Sequence, residues 1–179
     1  MSCQGDETGV LAKAFGKITH SLRLMKKDVD MLIGGAFEGK LDTRADISAH
    51  QGAYREIIDG VNKSLDVITG PLNMAAVCID RISRGDVPKK ISYDYNGDFN
   101  ILKNNLNTCI DAVNVLVADA NMLSQAAVEG NLSVRAEVSG HYGDFRRIIE
   151  GVIGTLDAIT QPLDTAADYI DKLSRGSIP

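Results

Sequence analysis

The sequence predicts an all-α protein: parallel homodimeric four-helix coiled-coil bundles stacked end to end, with two helices and an extended connector per unit from each chain. Three observations predict it. First, the chain writes one stretch twice. Residues 38–72 read EGKLDTRADISAHQGAYREIIDGVNKSLDVITGPL and residues 129–163 read EGNLSVRAEVSGHYGDFRRIIEGVIGTLDAITQPL, with about half of the positions identical at a constant offset of 91. A fainter version lies between them, Gly85 falling 46 after Gly39 and 45 before Gly130. Repeats at this spacing form an array in which each unit needs its neighbours or a partner to bury its apolar face. Second, apolar residues recur at alternating steps of four and three, the narrow seam of a coiled coil. Third, the connectors between seams are too long and too apolar for the short loops that join antiparallel helices.

A parallel pair is physically feasible. A helix of about 14 residues is roughly 21 Å long, and about 13 extended residues reach roughly 43 Å, enough to climb back along it. One narrow-seamed pair leaves an open apolar groove, which a second copy of the chain would close into a four-helix bundle.

The elements follow in order. Residues 1–9 are polar and read as a disordered tail. Residues 10–70 form a first unit with an extended leading helix, whose seam is Leu11, Phe15, Ile18, Leu22, Met25, Val29, Leu32 and Ala36. Gly39 ends that helix in the left-handed conformation. Leu41, together with Ala45 or Ile47, is expected to pin the connector to the helices. A second seam runs from Tyr54 through Ile58, Val61, Leu65, Ile68, Leu72, Ala75 and Ile79 to Ile82, crossing Pro71 in phase. Proline removes the hydrogen bond to the carbonyl of Val67, so Pro71 marks either a kink or a helix start. Residues 71–115 form a second unit. Gly85 ends its first helix, Val87 and Ile91 take the connector positions, and Gly97-Asp98-Phe99 opens its second helix with Asp98 as N-cap. Its seam begins with a step of three instead of four, a phase shift that rotates a helix locally. Residues 116–161 form a third unit, with Gly130, Leu132, Ala136 and the opening Gly143-Asp144-Phe145. Residues 162–179, beginning at Pro162, are the first helix of a truncated fourth unit.

Composition bounds the function. A net charge of −5 and no Lys/Arg run leave no surface for nucleic acid. No apolar run is long enough to span a membrane, so direct membrane insertion of this stretch is not expected. Three scattered cysteines without CxxC spacing fit a reducing, cytoplasmic compartment, with Cys78 and Cys109 as small apolar helix residues. Phosphate-loop, nucleophile-elbow and dinucleotide motifs are absent. His50 and His141 occupy equivalent connector positions, but neither has a second ligand at a suitable spacing, and both read as structural. No catalytic residue, metal or cofactor is expected.

These features resemble a tandem array of HAMP domains, the signal-relay modules of bacterial chemoreceptors, sensor histidine kinases and nucleotide cyclases. The matching features are a helix-opening proline (Pro71, Pro162), Gly-x-apolar after the first helix (Gly39-Lys40-Leu41, Gly85-Asp86-Val87, Gly130-Asn131-Leu132), and a second apolar residue four further on (Ala45, Ile91, Ala136). They cover about residues 22–179. Where the family often has an acidic pair and a glycine before the second helix, this chain has Gly-Asp-Phe twice and Gly52-Ala53-Tyr54 once. The resemblance implies a parallel homodimer that relays conformational change between an upstream sensor and a downstream output domain. Leu41, Val87, Ile91 and Leu132 would be connector anchors, Gly39, Gly85 and Gly130 turn glycines, and Pro71 and Pro162 junctions. A passive coiled-coil spacer or a helical partner-binding scaffold is the alternative. In-helix prolines and small seam residues (Ala75, Ala120, Ala166) favour switching, because mixed packing supports two states close in energy.

Overall fold

The computed structural model describes residues 4–176. Its four long helices are α1 (Gln4–Phe37), α2 (Gly52–Ser83), α3 (Asp98–Val128) and α4 (Gly143–Ser174), with short 3₁₀ turns at Ile47–Ala49 and Val138–Gly140. Among the described residues there is no strand. The chain divides between Val77 and Cys78 into two compact units.

In the first unit the helices run parallel, and three contacts fix the direction. His50, just ahead of α2, bonds Asp28, more than two turns before the end of α1. Ala45 bonds Asn62, and Arg44 reaches Asp66 further along α2. The connector therefore climbs back down the pair, and α2 sets out again in the direction of α1. The core is Leu32 of α1, Ala45 of the connector and Ile58 of α2, with Met25, Val29, Ile47, Val61 and Leu65 packed around them. All three components put one apolar residue at the same level. Covering a side chain such as Ile58, which is fully buried, contributes about 1.5–3 kcal/mol.

The second unit repeats this 91 residues later. Leu123, Ala136 and Ile149 form the core, flanked by Leu116, Val134, Val138, Ile153 and Leu156. His141 bonds Asp119 and Arg135 bonds Asp157, which sets α3 and α4 parallel in the same way. Residues 84–97 form another connector in this unit. It lies antiparallel along α3, with Lys90 against Asp111, Ile91 against Asn107 and Asp94 against Lys103. It has no 3₁₀ turn, and its two positive-φ glycines, Gly85 and Gly97, lie one residue closer in sequence than Gly39 and Gly52 or Gly130 and Gly143, which accounts for the unequal half-periods of 46 and 45.

Several expectations change. Helix α1 begins at Gln4, so the polar stretch at residues 4–9 is helical and only residues 1–3 of the expected tail, with Cys3, lie outside the described residues. Once a seam nucleates a helix, each added residue gains a hydrogen bond. Asp98 is not the N-cap of α3: Gly97 holds that position with φ 57°, and Asp98 is the first helical residue, where its carboxylate faces the positive end of the helix dipole. Pro71 and Pro162 do not open helices but sit inside α2 and α4. The expected unit boundaries at 70/71, 115/116 and 161/162 lie within continuous helices, as seams that run in phase across stacked units allow. Both sulfurs are free thiols, but only Cys78 is buried, and Cys109 is exposed.

Candidate functional site

Each connector starts from the same helix ending. Gly39, Gly85 and Gly130 have φ of 73°, 78° and 77°. The following amide reaches back five residues: Lys40 to Gly35, Asp86 to Arg81, Asn131 to Ala126, at 2.8–3.0 Å. The glycine amide bonds the carbonyl three residues back, completing a Schellman motif. Only glycine takes this left-handed turn without strain, and it reverses the chain onto the helix it has just left. After α1 the approach is close. A Cβ on Gly35 would stand 2.8 Å from Thr43 Oγ1, which gives this helical glycine a packing role. At the equivalent positions 91 residues on stand Ala126 and Val134.

Beyond the turn the connector is held by three clamps. Arg44 donates from Nε to Asp66 at 2.8 Å and from its NH1 nitrogen to the carbonyls of Leu41 and Thr43. Arg135 does the same with Asp157, Leu132 and Val134. The planar fork thus ties the connector backbone to the second helix. In the connector at 84–97, Lys90 and Asp111 form a simpler pair at 2.7 Å. The second clamp is an asparagine. Asn62 accepts from the amide of Ala45 and donates to its carbonyl, and Asn107 treats Ile91 identically. Ile153 stands at the third position and packs in the core. The third clamp is His50 Nε2 on Asp28 at 2.6 Å and His141 Nε2 on Asp119 at 2.7 Å, with both imidazoles essentially without solvent exposure. It binds the end of the connector to the first helix.

The exposed rims carry their own hydrogen bonds. Hydrogen bonds from Ser48 and Ser139 hold the carboxyls of Asp46 and Glu137 below the usual carboxylate range. The Arg81 guanidinium does the same for Asp86, which in turn raises Arg81.

The expected anchors divide. Ala45 and Ala136 are buried and central to the two cores, and Ile47 and Val138 pack beside them. Leu41 is 37 % exposed, and Val87, Ile91 and Leu132 are half-buried. Within one chain the small second connector residue is therefore the anchor, because the gap between two close helices admits a methyl group more readily than a leucine. Phe99 and Phe145 are half-buried, Asp144 pairs with Arg147 in the first turn of α4, and Pro71 is buried whereas Pro162 is exposed. Sequence reasoning missed the Arg–Asp, Asn and Asp–His clamps. A signal was present: Asp28/Asp119, Arg44/Arg135 and Asp66/Asp157 each recur at the offset of 91 that singled out the histidines. Among the described residues no three His, Cys, Asp or Glu side chains converge as a metal set.

Parallel helix pairs with a connector pinned to both members define a repeat module of two helices and an extended connector. Residues 49–115 and 140–179, more than half of the chain, match the family model of the HAMP domain. The chain belongs to the HAMP domain family, which implies a signal-relay module of sensor proteins. The matched segments leave out the turns at Gly39 and Gly130, which repeat geometry alone identifies. No solved structure matches the chain.

Proposed function

We propose that the chain passes a conformational change, a rotation or tilt of helices, from an upstream sensor domain to a downstream output domain, working as a parallel homodimer on the cytoplasmic side and doing no chemistry itself. Chemotaxis or two-component signalling is the setting this reading favours. The observation that carries it is the double attachment of the connector. One end is tied to the first helix through Asp28–His50 or Asp119–His141, and the other to the second helix through Arg44–Asp66 or Arg135–Asp157. A first helix that turns pulls on its connector, and the connector pulls on the second helix. Such a device needs a bistable packing that both ends can bias. No helix among the described residues is long and apolar enough to cross a membrane.

Arg135→Gln tests the coupling. Loss of the guanidinium removes the pair with Asp157 and two bonds to the carbonyls of Leu132 and Val134, about 1–3 kcal/mol, while the Leu123–Ala136–Ile149 core stays untouched. In the full-length protein the variant should keep its helix content and its oligomeric mass while its output no longer follows the stimulus. An output that still tracks the stimulus would instead favour the passive spacer.

A further inference from the structure

We propose that the middle of the three repeats is built to open before its neighbours, because Lys103 takes a core position that the flanking repeats give to isoleucine. The proposal rests on the repeat geometry and not on the relay reading. In each repeat one positive-φ glycine ends the first helix and another stands at the start of the second. Leu32, Ala45 and Ile58, the first core, lie seven residues before the first of these glycines, six after it and six after the second. Leu123, Ala136 and Ile149 keep the same count in the last repeat. In the middle repeat that count falls on Cys78, Ile91 and Lys103, all three within the second compact unit.

Three observations make this layer the weak one. First, Ile58 and Ile149 are fully buried, and Lys103 is buried to 9 % exposure in the equivalent place. An ammonium taken out of water is stabilised again only by a partner held beside it away from solvent. Lys103 Nζ donates to Asp94 at 3.1 Å, but the Asp94 side chain is 97 % exposed. A pair with so solvated a partner returns little, while water competes for the charged end of the lysine. Second, the first-helix member of the layer is Cys78 in place of a leucine, which leaves less apolar surface to pack. Third, the ties that hold the other connectors are thinner here. Tyr95 stands two residues before Gly97, where the other repeats have His50 and His141, so no Asp–His tie can form. The exposed Lys90–Asp111 pair replaces the arginine fork. The asparagine clamp remains, Asn107 on Ile91, and Leu106 and Ile110 are buried further along α3. Opening is therefore local, confined to the layer of Lys103, and does not unfold the helix.

Cys78 itself reports the opening. It is a buried free thiol, and a small alkylating reagent such as iodoacetamide reaches it only when its surroundings part. The experiment follows its labelling in the intact chain with Cys3 and Cys109 replaced by alanine. Two reference chains carry Leu32→Cys or Leu123→Cys as their single thiol, at the same level of the flanking repeats and at similar burial. Cys78 should be labelled at least about tenfold faster than either reference thiol. Lys103→Ile, which restores the flanking residue, should slow labelling of Cys78 at least about fivefold. Lys103→Met keeps the unbranched shape without the charge and should slow it as well, whether or not the branched side chain fits. Native-state hydrogen exchange of the amides at 101–107, against those at 56–62 and 147–153, makes the same comparison without any change of cysteine. Labelling of Cys78 no faster than that of the reference thiols, or undiminished labelling in both Lys103 variants at native helix content, would each overturn the proposal.

Discussion

At the scale of single residues, the connectors depend on backbone polar groups being satisfied where they are buried. Asn62 does this for both the amide and the carbonyl of Ala45 at 3.0 and 2.9 Å. Asn62→Ala leaves an amide and a carbonyl without their partner beside a residue that is only 5 % exposed. An unsatisfied buried polar group costs about 1–3 kcal/mol. The unfolding free energy measured in urea should fall by about that much. Ile153→Ala at the equivalent place acts by another route, losing apolar packing and leaving the connector's hydrogen bonds as they are. A fall for Asn62→Ala within experimental error would show that water replaces the side chain. The exposed carboxyls add a pH dependence whose sign follows from their direction. Asp46, Asp86 and Glu137 are all held below their ordinary values. The stability they contribute is therefore fully present above the usual carboxylate range, about pH 4, and is lost as pH falls through their lowered values. Melting followed from neutral to about pH 3 should show a smaller loss in the triple variant Asp46→Asn, Asp86→Asn, Glu137→Gln than in the parent chain. Parallel loss in the two would remove these groups from the acid transition.

At the scale of elements, the helices and their order were legible because seam periodicity and repeat offset are averages over many residues. The connector's course was legible from its length, and its parallel return follows once antiparallel packing is set aside. The prolines were not resolved by pattern, since a seam that crosses Pro71 in phase fits a kink, a restart or a continuous helix equally. The clamps were hidden for a different reason. Arg44 and Asp66 are 22 residues apart, as are Asp28 and His50, and no helical or strand period links them; only the fold sets them together. Leu41 reads as an anchor because it is the largest apolar residue after the glycine; within one chain it is 37 % exposed, and Ala45 sits in the core. The continuous α4 yields a prediction. Pro162 is exposed and removes the hydrogen bond to the carbonyl of Ala158, at a cost of about 3 kcal/mol relative to alanine. Pro162→Ala should therefore raise the melting temperature, and in a full-length relay it should bias the output toward one state by stiffening the helix. A melting temperature that stays put would mean that the helix already compensates for the missing bond locally.

At the scale of the molecule, the apolar residues left uncovered by one chain specify what must cover them. Phe15, Ile18, Leu22, Ile68 and Leu72 in the first unit and Ile159, Leu163, Ile170 and Leu173 in the second are each about 40–70 % exposed. All continue the four-and-three apolar spacing of the helices that carry them. Other seam residues, Leu32 and Ile58 in the first unit and Leu123 and Ile149 in the second, are buried within the chain, so one chain covers only part of each seam and leaves the rest for a partner. A second copy offers the same stripe, and in a parallel arrangement with two-fold symmetry each seam residue near the axis meets its own equivalent. Orientation is testable as well as mass. Sedimentation at micromolar concentration should give a dimer, and the double variant Ile159→Glu, Leu163→Glu should shift it to monomer without loss of helix content. With Cys3, Cys78 and Cys109 replaced by alanine, a single cysteine at position 163 should oxidise to a covalent dimer. That bond can form readily only if both chains point the same way in the same register. A monomer at that concentration, or a cysteine that stays reduced while the protein is dimeric, would remove the parallel bundle and with it the coupling between first and second helices across the pair.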